Sequence, residues 1–419
     1  MSKWLSIGEI VESVSITHKF DKPKLKFLNT ADAEKGKIVN YTELPISELK
    51  GQAKKTIQKD DILFSEVRPK NKHYAYVDIE DCSDYVVSTK LMVLRKFNDN
   101  VDNKYFYYSL INNKMLDILQ SRAENRICSF PQITFDLLSE YKIRMPKISE
   151  QESIAHILEI IDKKIELNNK INSELERIAK TLYKYWFVQF DFPDENERPY
   201  KSSGGAMIYN KVLKREIPLG WSVNNVESCI THINTGLNPR DNFILNNGNI
   251  KYITVKNLTT HGGIDFSNCD TIDEVAQKIV HKRSDISKGD ILFASIAPLG
   301  RCCLIQEEPQ TWDINESVFS IRPKNIMLSE YLYMFLMSET FVKKAENSST
   351  GSVFAGIRIK TLEDMLLIIP DNKILQRFKG KISKILLQKY IKECENQELT
   401  TIRDFLLPML MNGQVSIQQ

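Results

Sequence analysis

Two long stretches of the chain place apolar residues at alternating gaps of three and four positions, one over about residues 150–190 and one over 371–412. This spacing is typical of the seam of a coiled coil, so each stretch predicts one long helix. The predicted seam of the first helix is Ile154, Leu158, Ile161, Ile165, Asn168, Asn172, Leu175, Ala179 and Leu182. That of the second helix is Phe378, Ile382, Ile385, Lys389, Lys392, Asn396, Leu399, Arg403 and Leu406.

Two such helices in one chain pack most economically on each other, and they run antiparallel if a pseudo-two-fold axis relates the two halves of the chain. Asn172 and Asn396 would then fix the register at some cost in stability. The alternative is that each amphipathic helix packs separately on its own domain. Polar residues on the seam weaken any model of an isolated coiled coil.

Shorter stretches rich in β-branched residues precede each long helix, and they repeat. Residues 59–64 (KDDILF) match residues 288–293 (KGDILF), and Tyr105-Phe106-Tyr107 matches Tyr331-Leu332-Tyr333 at nearly the same separation. A period this long indicates a duplicated domain and not a solenoid. A duplicated chain of this kind imitates a two-fold symmetric dimer.

The repeat predicts an α+β fold in which two similar strand-rich domains are separated by a pair of long antiparallel coiled-coil helices. A stretch rich in Pro and Gly follows the first helix and predicts a linker. The expected segments are a first domain over 1–149, a helix over 150–190, a linker over 191–219, a second domain over 220–370, a helix over 371–412 and a tail over 413–419.

Composition narrows the function classes. At 419 residues, with 42% hydrophobic and 26% charged residues, the chain reads as a globular protein of at least two domains. No targeting signal and no run of roughly 18 apolar residues is present, so we expect a cytoplasmic protein without a membrane partner. The net charge of +3 is too small to indicate nucleic acid by itself. The cysteines are scattered and predict neither disulfides nor a zinc site.

Catalytic motifs are missing from the sequence. It contains no phosphate-binding loop of the G-x-x-x-x-G-K-[ST] type, so we expect no ATP hydrolysis by that route. Asp194 and Glu195 beside Pro193, and Asp371 after Pro370, are better explained as surface acids at junctions than as a nuclease site. The six histidines are dispersed along the chain. We therefore predict neither a catalytic site nor a metal site.

Three stretches resemble a known family. Residues 186–193 (WFVQFDFP), 199–205 (PYKSSGG) and 217–221 (IPLGW) resemble the passage from the central helix into the second target-recognition domain of the specificity subunits of type I restriction-modification enzymes. With the repeated strands and helices, the resemblance covers essentially the whole chain. The first domain departs from the pattern because it begins at Trp4 without a Pro-x-Gly-Trp lead. The two domains also differ over 124–130 and 348–356, which concerns the bases that are read.

The resemblance implies that the chain is a non-catalytic DNA-reading subunit. Each domain would read one half of a split, asymmetric site in double-stranded DNA. Two methyltransferase subunits would dock on the helices, with two motor-nuclease subunits for restriction, and the chain lacks the Asn/Asp-Pro-Pro-Tyr/Phe signature of such methyltransferases. No cofactor is expected on this chain, whereas S-adenosylmethionine, ATP and magnesium are expected on the partners. A helix over 149–188, roughly 55 Å long, would set the spacing of the half-sites.

Two other hypotheses stay open at this point. A stand-alone DNA-binding regulator with the same duplicated layout would bind its site without any partner. A structural coiled-coil scaffold is favoured only by the low net charge, and it leaves the repeated strand-rich domains unexplained.

Candidate DNA contacts are polar residues on predicted loops, because Arg and Lys suit guanine while Asn and Gln suit adenine. The alternative for each is a solvated charge or an ordinary turn residue. Lys54 and Lys55 are expected to contact phosphate. The other candidates in the first domain are Arg68, Lys70, Asn71, Lys72, His73, Tyr74, Asn125, Arg126 and Ser129. In the second they are Asn238, Arg240, Lys256, Asn257, Arg301, Ser349, Thr350, Ser352 and Arg358.

Overall fold

The structure is a computed structural model that describes residues 3–19, 21–49, 55–124, 131–348, 356–415 and 417. The chain divides into two compact units. Unit 1 is formed by Met1–Ile165 together with Gln397–Gln419, and unit 2 by Glu166–Asn396. Unit 1 therefore contains both ends of the chain.

Unit 1 is built mainly from strands. A four-stranded antiparallel sheet has the order β2-β11-β8-β9, and a second sheet has the order β6-β3-β10-β7, in which β3 and β10 are parallel. β1 pairs with β12. The strands are β1 (Lys3–Ser6), β2 (Val11–Ser13), β3 (Lys24–Leu28), β4 (Ala33–Glu34), β5 (Lys37–Ile38), β6 (Thr42–Pro45), β7 (Lys55–Thr56), β8 (Ile62–Ser65), β9 (Tyr74–Tyr76), β10 (Tyr85–Val87), β11 (Leu91–Lys96) and β12 (Lys142–Met145). The helices are α1 (Asn103–Ile111), α2 (Asn113–Glu124) and α3 (Phe135–Ser139).

The two long helices follow the apolar periodicity. Helix α4 (Ile148–Tyr183) ends in a π-helical turn, Lys184–Val188. The second long helix covers Asn372–Asn412. Every predicted seam residue is buried or half-buried. In the part of the chain that the structure describes, no helix combines the length and the apolarity that a membrane span requires.

Unit 2 repeats the plan of unit 1. Its antiparallel sheet has the order β16-β22-β19-β20, its second sheet has the order β18-β17-β21 with β17 and β21 parallel, and β15 pairs with β23. The strands are β13 (Met207–Asn210), β14 (Arg215–Pro218), β15 (Ser222–Asn225), β16 (Ile230–Thr235), β17 (Ile250–Ile253), β18 (Asp270–Ile272), β19 (Ile291–Ala294), β20 (Cys302–Leu304), β21 (Trp312–Ile314), β22 (Val318–Pro323) and β23 (Leu366–Ile369). The helices are α5 (Glu274–Ser284), α6 (Ser329–Leu336), α7 (Glu339–Asn347), α8 (Ile359–Glu363) and the long α9 (Asn372–Asn412).

Helices α4 and α9 run antiparallel in each unit. In unit 1, Ile154 near the start of α4 shares a core cluster with Met411 near the end of α9. In unit 2, the Trp186 ring that follows α4 lies 5.7 Å from the Phe378 ring near the start of α9. The chain is therefore a mixed α+β protein whose two strand-rich units share an antiparallel pair of long helices.

The helix seam has a polar centre within unit 2. The Asn168 side chain is fully buried and donates to Oδ1 of Asn396 over 2.9 Å and to Glu395 over 3.1 Å. Asn396 in turn donates to Asn169 over 2.9 Å. Asn396 was expected to fix the register of the two helices, and its hydrogen bonds with Asn168 and Asn169 are the contacts that could do so. The buried Oδ1 of Asn172 has no described partner. A buried amide that is bonded in only one register disfavours other registers.

The repeated KDDILF and KGDILF stretches have a structural explanation. Asp61 is buried and accepts two hydrogen bonds of 2.8 Å from Arg95. Asp290 is likewise buried and accepts two of 2.9 Å from Arg322. A bidentate Arg–carboxylate pair compensates for the desolvation of both charges, so losing either partner would leave a costly buried charge. The repeat thus preserves a buried ion pair at the start of β8 and β19.

The segment over 191–219, predicted as a linker, is packed in unit 2. It contains the β13–β14 hairpin, and it buries Phe192 and Ile217 in the same core cluster as Trp221. The Phe192 ring stacks on Trp221 at 4.9 Å. The expectation of a linker was wrong in this respect, because the Pro and Gly residues shape turns between buried aromatic anchors.

A glycine approaches a buried tyrosine in each unit. A Cβ on Gly36, at φ +98°, would lie 2.3 Å from the Tyr107 hydroxyl oxygen, and one on Gly262, at φ +82°, would lie 2.1 Å from that of Tyr333. Both tyrosines are buried. These glycines therefore serve two purposes, a left-handed backbone and space for a tyrosine hydroxyl.

We predict that Gly262→Ala destabilises the protein more than Gly220→Ala does. Gly220 has a similar φ of +87°, but a Cβ at this position would meet nothing within 4 Å, so it isolates the backbone effect. The left-handed backbone costs an alanine about 1–2 kcal/mol in both variants. Crowding against Tyr333 adds about 1–3 kcal/mol in Gly262→Ala alone. Urea unfolding of the full chain measures the difference, and equal midpoints would contradict the close approach.

Candidate nucleic-acid interface

The loop between β8 and β9 presents the first group of candidates in unit 1. Arg68 and Lys72 flank a single 3-10 turn, Pro69–Asn71, and both adopt left-handed backbone conformations, with φ of 46° and 57°. The Arg68 amide donates to the Pro131 carbonyl over 3.1 Å, which fixes the base of the loop. Left-handed conformations are uncommon for residues other than glycine, so this turn is strained.

Three side chains of this loop are exposed: those of Arg68, Lys70 and Asn71. Lys70 forms an ion pair of 3.0 Å with Asp117, but both side chains are about 60% exposed. An exposed ion pair of this kind contributes less than about 1 kcal/mol, so Lys70 can leave Asp117 and bind a ligand instead. Lys72 is half-buried. The loop therefore offers guanidinium, ammonium and amide donors to a ligand.

Tyr74 is a core residue, and its prediction as a DNA contact was wrong. Its ring stacks on Phe64 at 6.3 Å and meets Tyr107 edge-on at 6.3 Å. Burial raises the pKa of Tyr74 to about 12. The neighbouring His73 is half-buried, with Nδ1 3.3 Å from the Ala33 carbonyl oxygen. Successive side chains of β9 point to opposite faces of the sheet, and the Tyr74 ring points to the core. Its position next to a predicted loop in the sequence did not reveal this.

Lys55 was predicted to contact phosphate, and the structure places it elsewhere. Its ammonium donates to the carbonyl oxygens of Thr89 and Leu91, over 3.3 and 3.1 Å. Burial lowers the pKa of Lys55. The Lys55 ammonium is therefore bound to backbone carbonyls within unit 1. Several other candidates lie outside the described residues, namely Lys54, Asn125, Arg126, Ser129, Ser349, Thr350 and Ser352.

The loop that follows β16 presents Asn238 and Arg240 in unit 2. Tyr252 donates to the Leu237 carbonyl, and Asn242 donates to the Asn238 carbonyl over 3.0 Å. The first bond holds the loop against β17, and the second lies within the loop. Asn238 is half-buried, whereas the Arg240 side chain is exposed.

Asn257 is a buried structural residue, and its prediction as a base contact was wrong, whereas Arg301 is half-buried and its prediction as a base contact stays a prediction. Nη1 of Arg301 donates to the carbonyls of Val255 and Leu258 over 3.4 and 3.3 Å. Asn257 is 5% exposed, and its side chain accepts from the amide of Thr254 over 2.9 Å. Arginine and asparagine side chains can bond backbone groups as well as DNA bases, and in this structure both residues bond backbone groups.

Lys256 is exposed. In sequence it lies between Val255 and Leu258, whose carbonyl oxygens accept from Arg301. Arg358 is also exposed and immediately precedes α8. Four candidates thus retain an outward-facing polar group in unit 2, with Asn238 the least exposed: Asn238, Arg240, Lys256 and Arg358.

Helix α5 carries basic residues that the sequence analysis missed. Lys278, His281, Lys282 and Arg283 are all exposed. Their cluster, KIVHKR over 278–283, is visible in the sequence, but it lies outside the stretches that the two halves share. Among the described residues, no group of His, Cys, Asp and Glu is arranged to hold a metal ion.

Comparisons with known proteins identify the family. The model of the type I restriction modification DNA specificity domain matches the chain twice, over residues 2–177 and 220–403. The chain belongs to this family. The two matches correspond to the two strand-rich units, each with part of a long helix, so the chain contains two specificity domains.

Relatives of this family match nearly the full chain. The chain is 29% identical to the type I restriction enzyme HindI specificity subunit of Haemophilus influenzae, over 99% of this chain and all of that protein. It is 26% identical to the MjaIX specificity subunit of Methanocaldococcus jannaschii, over 77% of this chain and 71% of that one. The S subunit of a type I system from M. genitalium has a similar fold, with a TM-score of 0.54, 17% identity and coverage of 98% and 96%.

We predict that Arg301→Gln destabilises unit 2 without changing base choice. Removing the guanidinium leaves two carbonyls of the 255–258 turn without their donor, which costs about 1–3 kcal/mol. Arg240→Gln is the matched control, because an exposed side chain of this kind changes stability by less than about 0.5 kcal/mol. Urea unfolding compares the two variants. If Arg301→Gln were as stable as the control and altered DNA selectivity, Arg301 would be a DNA contact after all.

Proposed function

We propose that this chain is the DNA-recognition subunit of a type I restriction-modification complex, and that each specificity domain reads one half of a bipartite, asymmetric site. The observation that carries the proposal is the duplication itself. Two copies of one scaffold, each with its own set of exposed loop residues, suit a DNA site with two unlike halves. The long helices that both units share suit a fixed spacing between the halves.

The outer faces of the helices support docking of methyltransferase subunits. Within unit 2, Leu167 and Ile178 of α4 are 52% and 44% exposed, and Leu387 and Ile391 of α9 are 46% and 44% exposed. Leu167 and Ile178 lie about three turns apart and therefore share one face of α4. Apolar side chains grouped on a helix surface are typical of an interface with another protein. Two methyltransferase subunits and, for restriction, two motor-nuclease subunits complete the proposed assembly.

The chemistry of the complex belongs to those partners in this proposal. This chain contributes recognition and no catalytic site, and it binds no cofactor. S-adenosylmethionine, ATP and magnesium are bound by the partner subunits. Because the ligand that we propose for it is DNA, we place the protein in the cytoplasm.

Methylation mapping tests the proposal. Long-read sequencing compares a host that carries this chain and the methyltransferase encoded beside it with the same host lacking this chain. We expect a split, asymmetric motif methylated on adenine only when the chain is present. If an intact, expressed methyltransferase gave no chain-dependent motif, the chain would instead be a stand-alone DNA-binding protein.

We predict that Arg68→Ala relaxes base choice in one half-site only. A bidentate contact from this exposed guanidinium contributes about 1–3 kcal/mol of discrimination. Competition binding against duplexes with single changes in each half-site measures the effect, and Lys142→Ala, an exposed residue on β12, is the control. Equal weakening on all duplexes would instead make Arg68 a phosphate contact.

We predict that Leu167→Asp/Ile178→Asp weakens association with the methyltransferase subunit. Losing two apolar side chains from an interface costs about 3 kcal/mol or more, which is roughly a hundredfold in Kd. Ile208→Asp/Val212→Asp, on the exposed β13–β14 hairpin, makes the same change away from the helices. Analytical ultracentrifugation measures assembly. Equal assembly by both variants would place the docking surface elsewhere.

A further inference from the structure

Three of the four exposed basic residues of α5 share one face of the helix. Lys278, His281 and Lys282 are three and four residues apart, and residues at this spacing are neighbours on a helix surface. Within the described ranges of the chain, Lys278 and Lys282 form no ion pair. Glu274, the acidic residue of the helix, lies in its first turn, four residues before Lys278 and so at the N-terminal end of the same face. Two like charges four residues apart destabilise a helix by a few tenths of a kcal/mol. A bound anion would offset the repulsion between Lys278 and Lys282.

Helix α5 is held rigidly in unit 2. The Asp273 side chain caps its N-terminus by accepting from the Ala276 amide over 2.8 Å. Its inner face, Ala276 and Val280, packs in one cluster with Tyr252. A rigid helix orders few additional side chains when a ligand binds, which lowers the entropic cost of binding.

The loop that carries Arg240 packs on the same cluster. Leu237, Phe243 and Leu245 lie against Tyr252 and α5, and the Phe243 ring meets the Tyr252 ring edge-on at 5.5 Å. Helix α5 and the Arg240 loop are therefore parts of one packed substructure. Together they present five exposed basic groups: Arg240, Lys278, His281, Lys282 and Arg283.

A buried carboxylate fixes His281. Asp313 on β21 is fully buried and accepts from the Ser284 hydroxyl over 2.6 Å and from the Ile314 amide over 2.8 Å. The other oxygen of Asp313 lies 3.1 Å from Nδ1 of His281, whose side chain remains 46% exposed. This contact ties the last turn of α5 to the sheet and leaves the other ring nitrogen for a ligand.

Helix α5 also breaks the internal repeat. It follows β18, which pairs antiparallel with β17, just as β6 pairs antiparallel with β3 in unit 1. After β6, however, the residues described before β7 form only a single 3-10 turn, Ile46–Glu48. The basic face is therefore a feature of unit 2 and not part of the shared scaffold.

We propose that the basic face of α5, formed by Lys278, His281 and Lys282, anchors the phosphate backbone of DNA beside the half-site that unit 2 reads. The inference rests on the proposed function. Each strand of duplex DNA carries about one negative charge per 3.4 Å of the helix axis, so its backbone offers a dense line of anions to cations along one helix face. Contacts to phosphate position a protein without reading sequence. The anchor thus supplies affinity and register to unit 2, while loop residues supply base choice.

The test compares Lys278→Gln/Lys282→Gln with a matched control, Lys211→Gln/Lys214→Gln, which removes two exposed charges from the β13–β14 turn. The full chain is assembled with its methyltransferase, and Kd is measured against KCl concentration on a short duplex that carries the mapped motif. The slope of log K against log salt is negative, and each lost phosphate contact reduces its magnitude by about 0.9, so we expect the magnitude to fall by about 1.8 in the α5 variant. Discrimination between the motif and single-base changes stays as in the wild type.

An unchanged slope in the α5 variant would overturn the anchor, and so would an equal decrease in the control variant. Loss of base discrimination at one position, with the slope kept, would also overturn it and make these lysines base-reading residues. A wild-type complex that shows no preference for the motif contradicts the proposed function itself. Selective binding by the wild type with an unchanged α5 variant overturns only the anchor.

Discussion

The packing of α4 against α9 is the interaction on which both units depend. In unit 1, Leu158 of α4 and Leu407 of α9 belong to the main core cluster, although one comes from the middle of the chain and the other from its end. In unit 2, Phe187 contacts Phe378 with ring centroids 4.7 Å apart. Neither core is complete without a segment from each helix. Each of the two long helices is therefore part of both hydrophobic cores.

On this shared framework the two units keep the same interior and differ at their loops. The buried Asp61–Arg95 pair of unit 1 has its equivalent in Asp290–Arg322 of unit 2. The loops that follow these strands differ: one presents Arg68 on a strained turn, whereas the other uses Arg301 to hold its own backbone. A common scaffold with unlike loops is suited to reading two different short sequences.

The long-range organisation was predictable from the sequence because it is periodic. The helix seams repeat over many turns, and the duplicated strands repeat across the chain, so each signal is reinforced many times. Individual contacts were less predictable. Asn257, Arg301 and Lys55 are polar residues near loops, and nothing local distinguishes a side chain that bonds its own backbone from one that faces a ligand. Helix α5 was missed for another reason, because comparing the halves detects only what both contain.

The central claim is that the two units read opposite halves of one site, and tethered cleavage tests it most directly. Asn71→Cys in unit 1 and Lys256→Cys in unit 2 each place an iron chelate on an exposed loop, with the unmodified chain as the control for the native cysteines. In the assembled complex on its mapped site, the account predicts that each chelate cleaves the DNA in a different half of the motif. Cleavage of the same half from both positions, or no cleavage from either above the control, would contradict it.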